Sequence, residues 1–168
     1  IKARYPHWKM GETHCHSLFS DGNYSISALM RRASYLGLDY LIITEHQIPK
    51  IFDLDRSLLS FHQRLRIYEQ WDHPTLEPIR VYPALETSTE QGHLIIVFPE
   101  EYLQPHRYRD VRLLLKPNDS NFPPMMVAAE HARTLGGISI IPHPEIERYY
   151  PFGAKISFVR KYLLGLID

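Results

Sequence analysis

Two stretches of this chain repeat one order of events: helical periodicity, a glycine, then a short run of continuously apolar residues. In the first, Ile26, Leu29, Met30, Ala33 and Leu36 recur at helical spacing behind Ser25, a suitable N-cap, and stop at Gly37. Tyr40-Leu41-Ile42-Ile43-Thr44 follows at once, the kind of run found in strands buried on both faces. In the second, Met125, Ala128, Ala132 and Leu135 lead to Gly136-Gly137 and then to Ile138-Ser139-Ile140-Ile141. Residues 79–85 and 93–98 read as further strands and residues 54–71 as a charged surface helix. This alternation predicts an α/β fold with a largely parallel sheet. Residues 99–124, rich in Pro, Tyr, Arg and Asn, read as a long connection or partial lid.

A chain of 168 residues suits one domain, taken as 1–168. Lys+Arg and Asp+Glu balance at 19 each, so no global positive field recruits nucleic acid, and a small or short substrate is favoured. A single cysteine, Cys15, excludes an internal disulfide and fits a reducing compartment, with the cytoplasm as default. No apolar run approaches the roughly 20 residues that span a bilayer, and the opening IKARYPHWKMGE lacks a signal-peptide core, so no membrane partner is expected. The chain opens at Ile1 and closes after LLGLID, which looks like a strand being entered; a fragment, incomplete at its C-terminus, is expected.

The polar residues at the strand ends carry the chemistry. His14 and His16 lie two apart at the end of a predicted first strand, so both imidazoles face one side, while Cys15 alternates away. Asp21 follows in the loop Ser20-Asp21-Gly22, where glycine permits a tight turn. His46 stands where the next strand leaves the sheet. Glu86 ends an apolar run, where burying a carboxylate is costly unless it is paired or coordinated. His93 heads one strand and His143 follows another. Taken singly, each has an ordinary explanation as a solvated or structural side chain. Together, five histidines and two carboxylates in successive strand-adjacent positions form the donor mixture that suits zinc, manganese or iron. His7, His62, His73, His106 and His131 fall at positions better explained without a ligand role.

The motifs GETHCHSLFSDG, GLDYLIITEH, ALETSTEQGH and GGISIIPHP, in that order, resemble those of the PHP (polymerase and histidinol phosphatase) family, and the match covers most of the chain. The resemblance implies a distorted TIM-like barrel of the (β/α)7 type, with metals at the C-terminal mouth of the strands, where barrel enzymes place their chemistry. It implies that His14, His16 and Glu86 hold one ion. Glu86, His93 and His143 would hold a second, and Asp21 and His46 would contribute to a third. Two or three divalent ions are therefore expected, with Glu86, Asp21 and His143 as candidate catalytic residues. The lead-in HWKMGE and the compact spacing from Glu86 to His93 look most like stand-alone members, including the carbaryl-hydrolase-like branch. Two departures stand out: Glu45 replaces the family's usual Asp, and the family's closing Asp-x-His motif does not occur before Asp168.

The expected activity is hydrolysis of a phosphomonoester or nucleotide phosphodiester by a metal-bound hydroxide, the ions also stabilising the leaving oxygen. Surplus positive charge from the ions would attract an anionic substrate, a phosphorylated small molecule or nucleotide. Arg148 and Lys155 are candidate phosphate-binding residues. Short nucleic acid is a further possible substrate, from Arg107, Arg109, Arg112 and Lys116 interleaved with Tyr102 and Tyr108. The same metal chemistry also serves amide, ester or carbamate hydrolysis. A non-catalytic module, with incomplete ligation, is the reading from a different class.

Overall fold

The computed structural model describes residues 7–46, 79–99 and 122–143. In chain order these form β1 (Gly11–Cys15), α1 (Ile26–Tyr35), β2 (Tyr40–His46), β3 (Arg80–Thr89), β4 (Gly92–Val97), α2 (Met125–Thr134) and β5 (Ile138–Ile140). The expected helix over 54–71, most of the connection over 99–124, and both Arg148 and Lys155 lie outside the described residues.

Each helix-to-strand unit has the local cause that the sequence suggests. The Ser25 hydroxyl accepts from the Ala28 amide at 3.3 Å and caps α1. At the other end Gly37 takes φ +70°, its amide donates to the Ser34 carbonyl, and the Leu38 amide donates to that of Ala33. α2 ends identically: Gly136 has φ +71°, with Gly136 donating to Arg133 and Gly137 to Ala132. This paired closure needs a left-handed residue, which glycine supplies without steric cost. It turns each helix directly into its strand.

The five strands form one sheet in the order β1-β2-β3-β4-β5. β1, β2 and β3 pair in parallel, but β3–β4 and β4–β5 are antiparallel, which corrects the expectation of a largely parallel sheet. The reason is the connection. β3 continues through Thr87-Ser88-Thr89, and only Glu90 and Gln91 separate it from β4, far too short for a parallel crossover. Gln91 then caps α2 from outside, its side-chain oxygen accepting from the Met125 amide at 2.7 Å.

The sheet is curled into a half-barrel. Four strand spacings would set β1 and the end of β5 about 19 Å apart in a flat sheet, yet the rings of His14 and His143 are 5.5 Å apart. Side chains alternate between two cores. Leu41 and Ile43 pack outward with Ile26, Met30 and Ala33 of α1, and Cys15 joins them. Ile42, Ala84 and Ile95 pack on the concave side, with Tyr40, Val97 and Ile140 against them. α2 buries Met125, Ala128, Ala129 and Ala132, and covers β4 and β5. No helix among the described residues is long and apolar enough to cross a membrane.

Candidate metal centre

The strand alternation that buries Ile42, Ala84 and Ile95 on the concave face puts His46, Glu86 and His93 on that same face. β1 adds His14, and His16 directly follows the strand. Its register against β2 slips between Glu12 and Cys15, where three steps in one strand match two in the other. That single extra residue is a bulge, a device that re-aims nearby side chains. The amides of Thr13 and His14 both donate to Glu12 Oε1 at 3.0 Å, and Thr44 Oγ1 donates to the Cys15 carbonyl at 3.1 Å.

Glu86 is the hub. It is 1% exposed, inside β3 rather than at the strand end where the apolar run alone placed it. The polar residues Thr87-Ser88-Thr89 look like a loop in sequence, but pairing with Leu94, His93 and Gly92 satisfies their backbone. Glu86 Oε2 lies 3.2 Å from His14 Nε2, 3.1 Å from His16 Nε2 and 3.3 Å from His46 Nδ1. Oε1 lies 2.7 Å from His93 Nδ1 and 3.1 Å from His143 Nε2. One carboxylate thus divides five imidazoles between its two oxygens.

Asp21 sits at the rim, its side chain 62% exposed, with Oδ1 3.6 Å from His16 Nδ1 and Oδ2 3.3 Å from His46 Nε2. The loop bringing it there folds tightly against β1: a Cβ on Gly22 would lie 2.1 Å from the His16 carbonyl oxygen. The rings of His16 and His46 stack at 4.4 Å. His143 lies beyond β5, since Pro142 has no N–H for a ladder bond. Its φ of +30° is unusual for a residue with a side chain and marks a backbone held by its surroundings.

The electrostatics suit cation binding. Burial pushes the Glu86 carboxyl upward, but hydrogen bonds from His14, His16 and His93 outweigh it and hold the group well below the usual carboxylate range. For His16, burial lowers the pKa, while the Glu86 hydrogen bond and the charges of Glu86, Asp21 and Glu45 raise it, with a net rise. For His46, burial dominates and, helped by His16 and His93, lowers the pKa despite Glu86 and Asp21. Cys15 is different: burial first, then Glu12 and Glu45, push its thiol up to about 12. It stays protonated and donates to the Ile42 carbonyl, apart from the donor cluster.

The donors fit divalent ions. Three groups bring their ligand atoms within 4.8 Å of one another: His14, His16 and Glu86; His16, Asp21 and His46; and His46, Glu86 and His93. Two nitrogens bound at about 2.0–2.1 Å to one ion would be about 2.9–3.4 Å apart, and His14 Nε2 and His16 Nε2 are 3.1 Å apart. Among the described residues the buried Nδ1 atoms of His16 and His143 have no hydrogen-bond partner, a state a polar ligand would relieve. All seven residues singled out from sequence therefore converge on one mouth. His143 lies with Glu86 and His93 as the family resemblance implies, and His46 also lies beside Glu86. His7 is exposed and His131 belongs to α2, and neither is in these three donor groups. His62, His73 and His106 are outside the described residues.

Sequence reasoning noted Glu45 only as a departure from the family's usual Asp and gave it no part in the site. It is 7% exposed on the convex side of β2, where Leu41 and Ile43 are apolar, and its carboxylate accepts from Ser17 and Ser20. The available signal was a carboxylate at an outward position whose strand neighbours are core residues.

No family model and no curated protein sequence matches the chain. Solved structures do. A two-domain protein from Bacteroides vulgatus ATCC 8482, containing a predicted PHP-like metal-dependent phosphoesterase, matches with a TM-score of 0.56 at 21% identity over 94% of this chain and 42% of that one. A proposed metal-dependent phosphoesterase from Bifidobacterium adolescentis ATCC 15703 matches with a TM-score of 0.61 at 12% identity, over 95% of this chain and 76% of that one. Endonuclease Q, in complex with a 27-mer duplex substrate bearing an abasic lesion, matches with a TM-score of 0.53 at 16% identity, over 90% and 39%. The chain shares the fold of these proteins and spans less than half the length of the first and third.

Proposed function

We propose that this chain carries the metal centre of a PHP-type hydrolase that cleaves phosphoesters, a phosphorylated small molecule or nucleotide being the favoured substrate. The observation behind this reading is the convergence of five imidazoles on one buried carboxylate. No structural need explains burying Glu86 among so many titratable rings. The half-barrel is taken as part of a (β/α)7-type barrel. The names of the similar structures support phosphoester chemistry, and the equal counts of acidic and basic residues favour a small substrate over long nucleic acid.

His14, His16 and Glu86 would hold one ion, Glu86, His93 and His143 a second, and Asp21 and His46 would contribute to a third. Such ions supply Lewis acidity toward a phosphoryl oxygen and lower the pKa of water at the site. Glu86 is ionised, so it contributes a full negative charge and links the two sides of the cluster through its separate oxygens. His46, its pKa lowered, presents a neutral imidazole with a lone pair at neutral pH. Asp21, open to solvent at the rim, would be the carboxylate that exchanges a proton with an entering or departing group.

The test is the 168-residue chain, loaded with manganese or zinc and assayed on p-nitrophenyl phosphate, bis-p-nitrophenyl phosphate, nucleotides, short oligonucleotides and aryl carbamates. Metal-dependent turnover of a phosphate ester, abolished by His14→Ala and Glu86→Ala with folding intact, supports the reading. Turnover of carbamates alone would replace phosphoester chemistry with acyl chemistry at the same site. Metal uptake without any turnover would favour a binding module.

A further inference from the structure

We propose that Glu45 is the positioning residue for the His16, Asp21 and His46 donor set, acting as a clamp on the loop between β1 and α1; this rests on the metal-centre reading above. Alternation along β2 sends His46 to the concave face and Glu45 to the convex one, among side chains that are otherwise apolar. A carboxylate buried there is costly unless its oxygens are occupied. They are: Oε1 accepts from the Ser17 amide at 3.0 Å and the Ser17 hydroxyl at 2.5 Å, and Oε2 accepts from the Ser20 hydroxyl.

The placement of those partners gives the clamp its significance. Ser17 directly follows His16, Ser20 directly precedes Asp21, and Glu45 directly precedes His46. One carboxylate therefore fixes the backbone next to all three donors. The loop is also closed by Leu18 donating to Tyr24 and by Ser20 and Gly22 donating to the Ser17 carbonyl. These bonds shape the loop internally, whereas Glu45 ties it to the strand that carries His46. Neither side of the clamp touches Glu86, His93 or His143 in the described contacts, so its effect falls on one part of the cluster.

The experiment is titration of the metal-free 168-residue chain with cobalt(II) alone, followed by visible absorption. Asp21→Ala, an exposed change, marks the binding step that belongs to the Asp21 set. Glu45→Ala is expected to weaken that same step about 10–100-fold, the range for loss of a residue that orients ligands, to weaken the His14, His16 and Glu86 step less, since His16 belongs to it, and to leave the Glu86, His93 and His143 step within about twofold. Glu45→Gln is expected to restore most of the affinity, because the amide keeps the length, an acceptor for Ser17 and a donor for the Ser20 hydroxyl. Wild-type titration by folded Glu45→Ala, or equal weakening of every step, overturns the clamp while leaving the metal centre standing. If Glu45→Ala does not fold, Ser20→Ala decides: it removes only the contact beside Asp21, and an unchanged Asp21 step overturns the proposal. A wild-type chain that takes up no cobalt overturns both the clamp and the metal centre.

Discussion

Gly22→Ala tests whether the loop after β1 positions His16. The added Cβ would lie 2.1 Å from the His16 carbonyl oxygen, 2.4 Å from its carbon and 2.8 Å from the Ser17 amide nitrogen, all backbone atoms. Carbon and oxygen pack comfortably at roughly 3.3 Å or more, so the loop must move by about 1 Å. Overpacking of this size costs about 1–3 kcal/mol, which in a chain of this length lowers Tm by about 2–12 °C. A displacement of about 1 Å at a catalytic constellation can cost about 100-fold in rate. Gly37→Ala is the control, since its φ is +70° but nothing lies within 4 Å of the added Cβ. It should cost about 1–2 kcal/mol of left-handed strain and leave metal affinity unchanged. Differential scanning fluorimetry and cobalt titration of both variants separate the two effects. Equal metal affinity in Gly22→Ala and wild type, with Tm within 1 °C or so, would refute the close approach on which the reasoning depends.

Glu86→Gln keeps shape but removes the shared charge, and metal uptake should fall by more than about 100-fold, beyond the effect of an outer residue; calorimetry with zinc reads it. Because the Glu86 carboxyl is held below its unfolded value of 4.5, its stabilising contribution is present above that pH and lost as pH falls below it, so Glu86→Gln should flatten the acid limb of metal-free unfolding curves. The Cys15 thiol shows the opposite sign. Its pKa of about 12 against 9.0 leaves the native state holding a proton that the unfolded chain has lost. Stability should therefore decline as pH rises from 9 toward 12, less so in Cys15→Ser, as followed by urea unfolding at several pH values. Saturating metal at 100 times its Kd should add about 2.7 kcal/mol, a Tm rise of about 5–11 °C that chelator reverses; no shift would argue against a native-state site.

The sequence by itself determined the two helix-to-strand units and singled out the seven polar residues that cluster. Periodicity, the Ser25 cap and the glycines after each helix are local signals, and the local hydrogen bonds at Ser25, Gly37 and Gly136 form as those signals imply. Alternation along β1 correctly separated Cys15 from His14 and His16, because a strand's period is a property of the backbone alone. Long-range pairing was decided only by the tertiary structure. Thr87-Ser88-Thr89 is polar and loop-like until β4 pairs with it, and that pairing reverses a strand and draws Glu86 inside the sheet. The outward-facing Glu45 became intelligible only when the loop from β1 folded over it, since neither serine lies within 20 residues of it in the chain. The curl of the sheet is the largest such effect. Five histidines spread from position 14 to position 143 reach one carboxylate only because the strands bend around a shared concave core, a closure that depends on the packing of all of them at once.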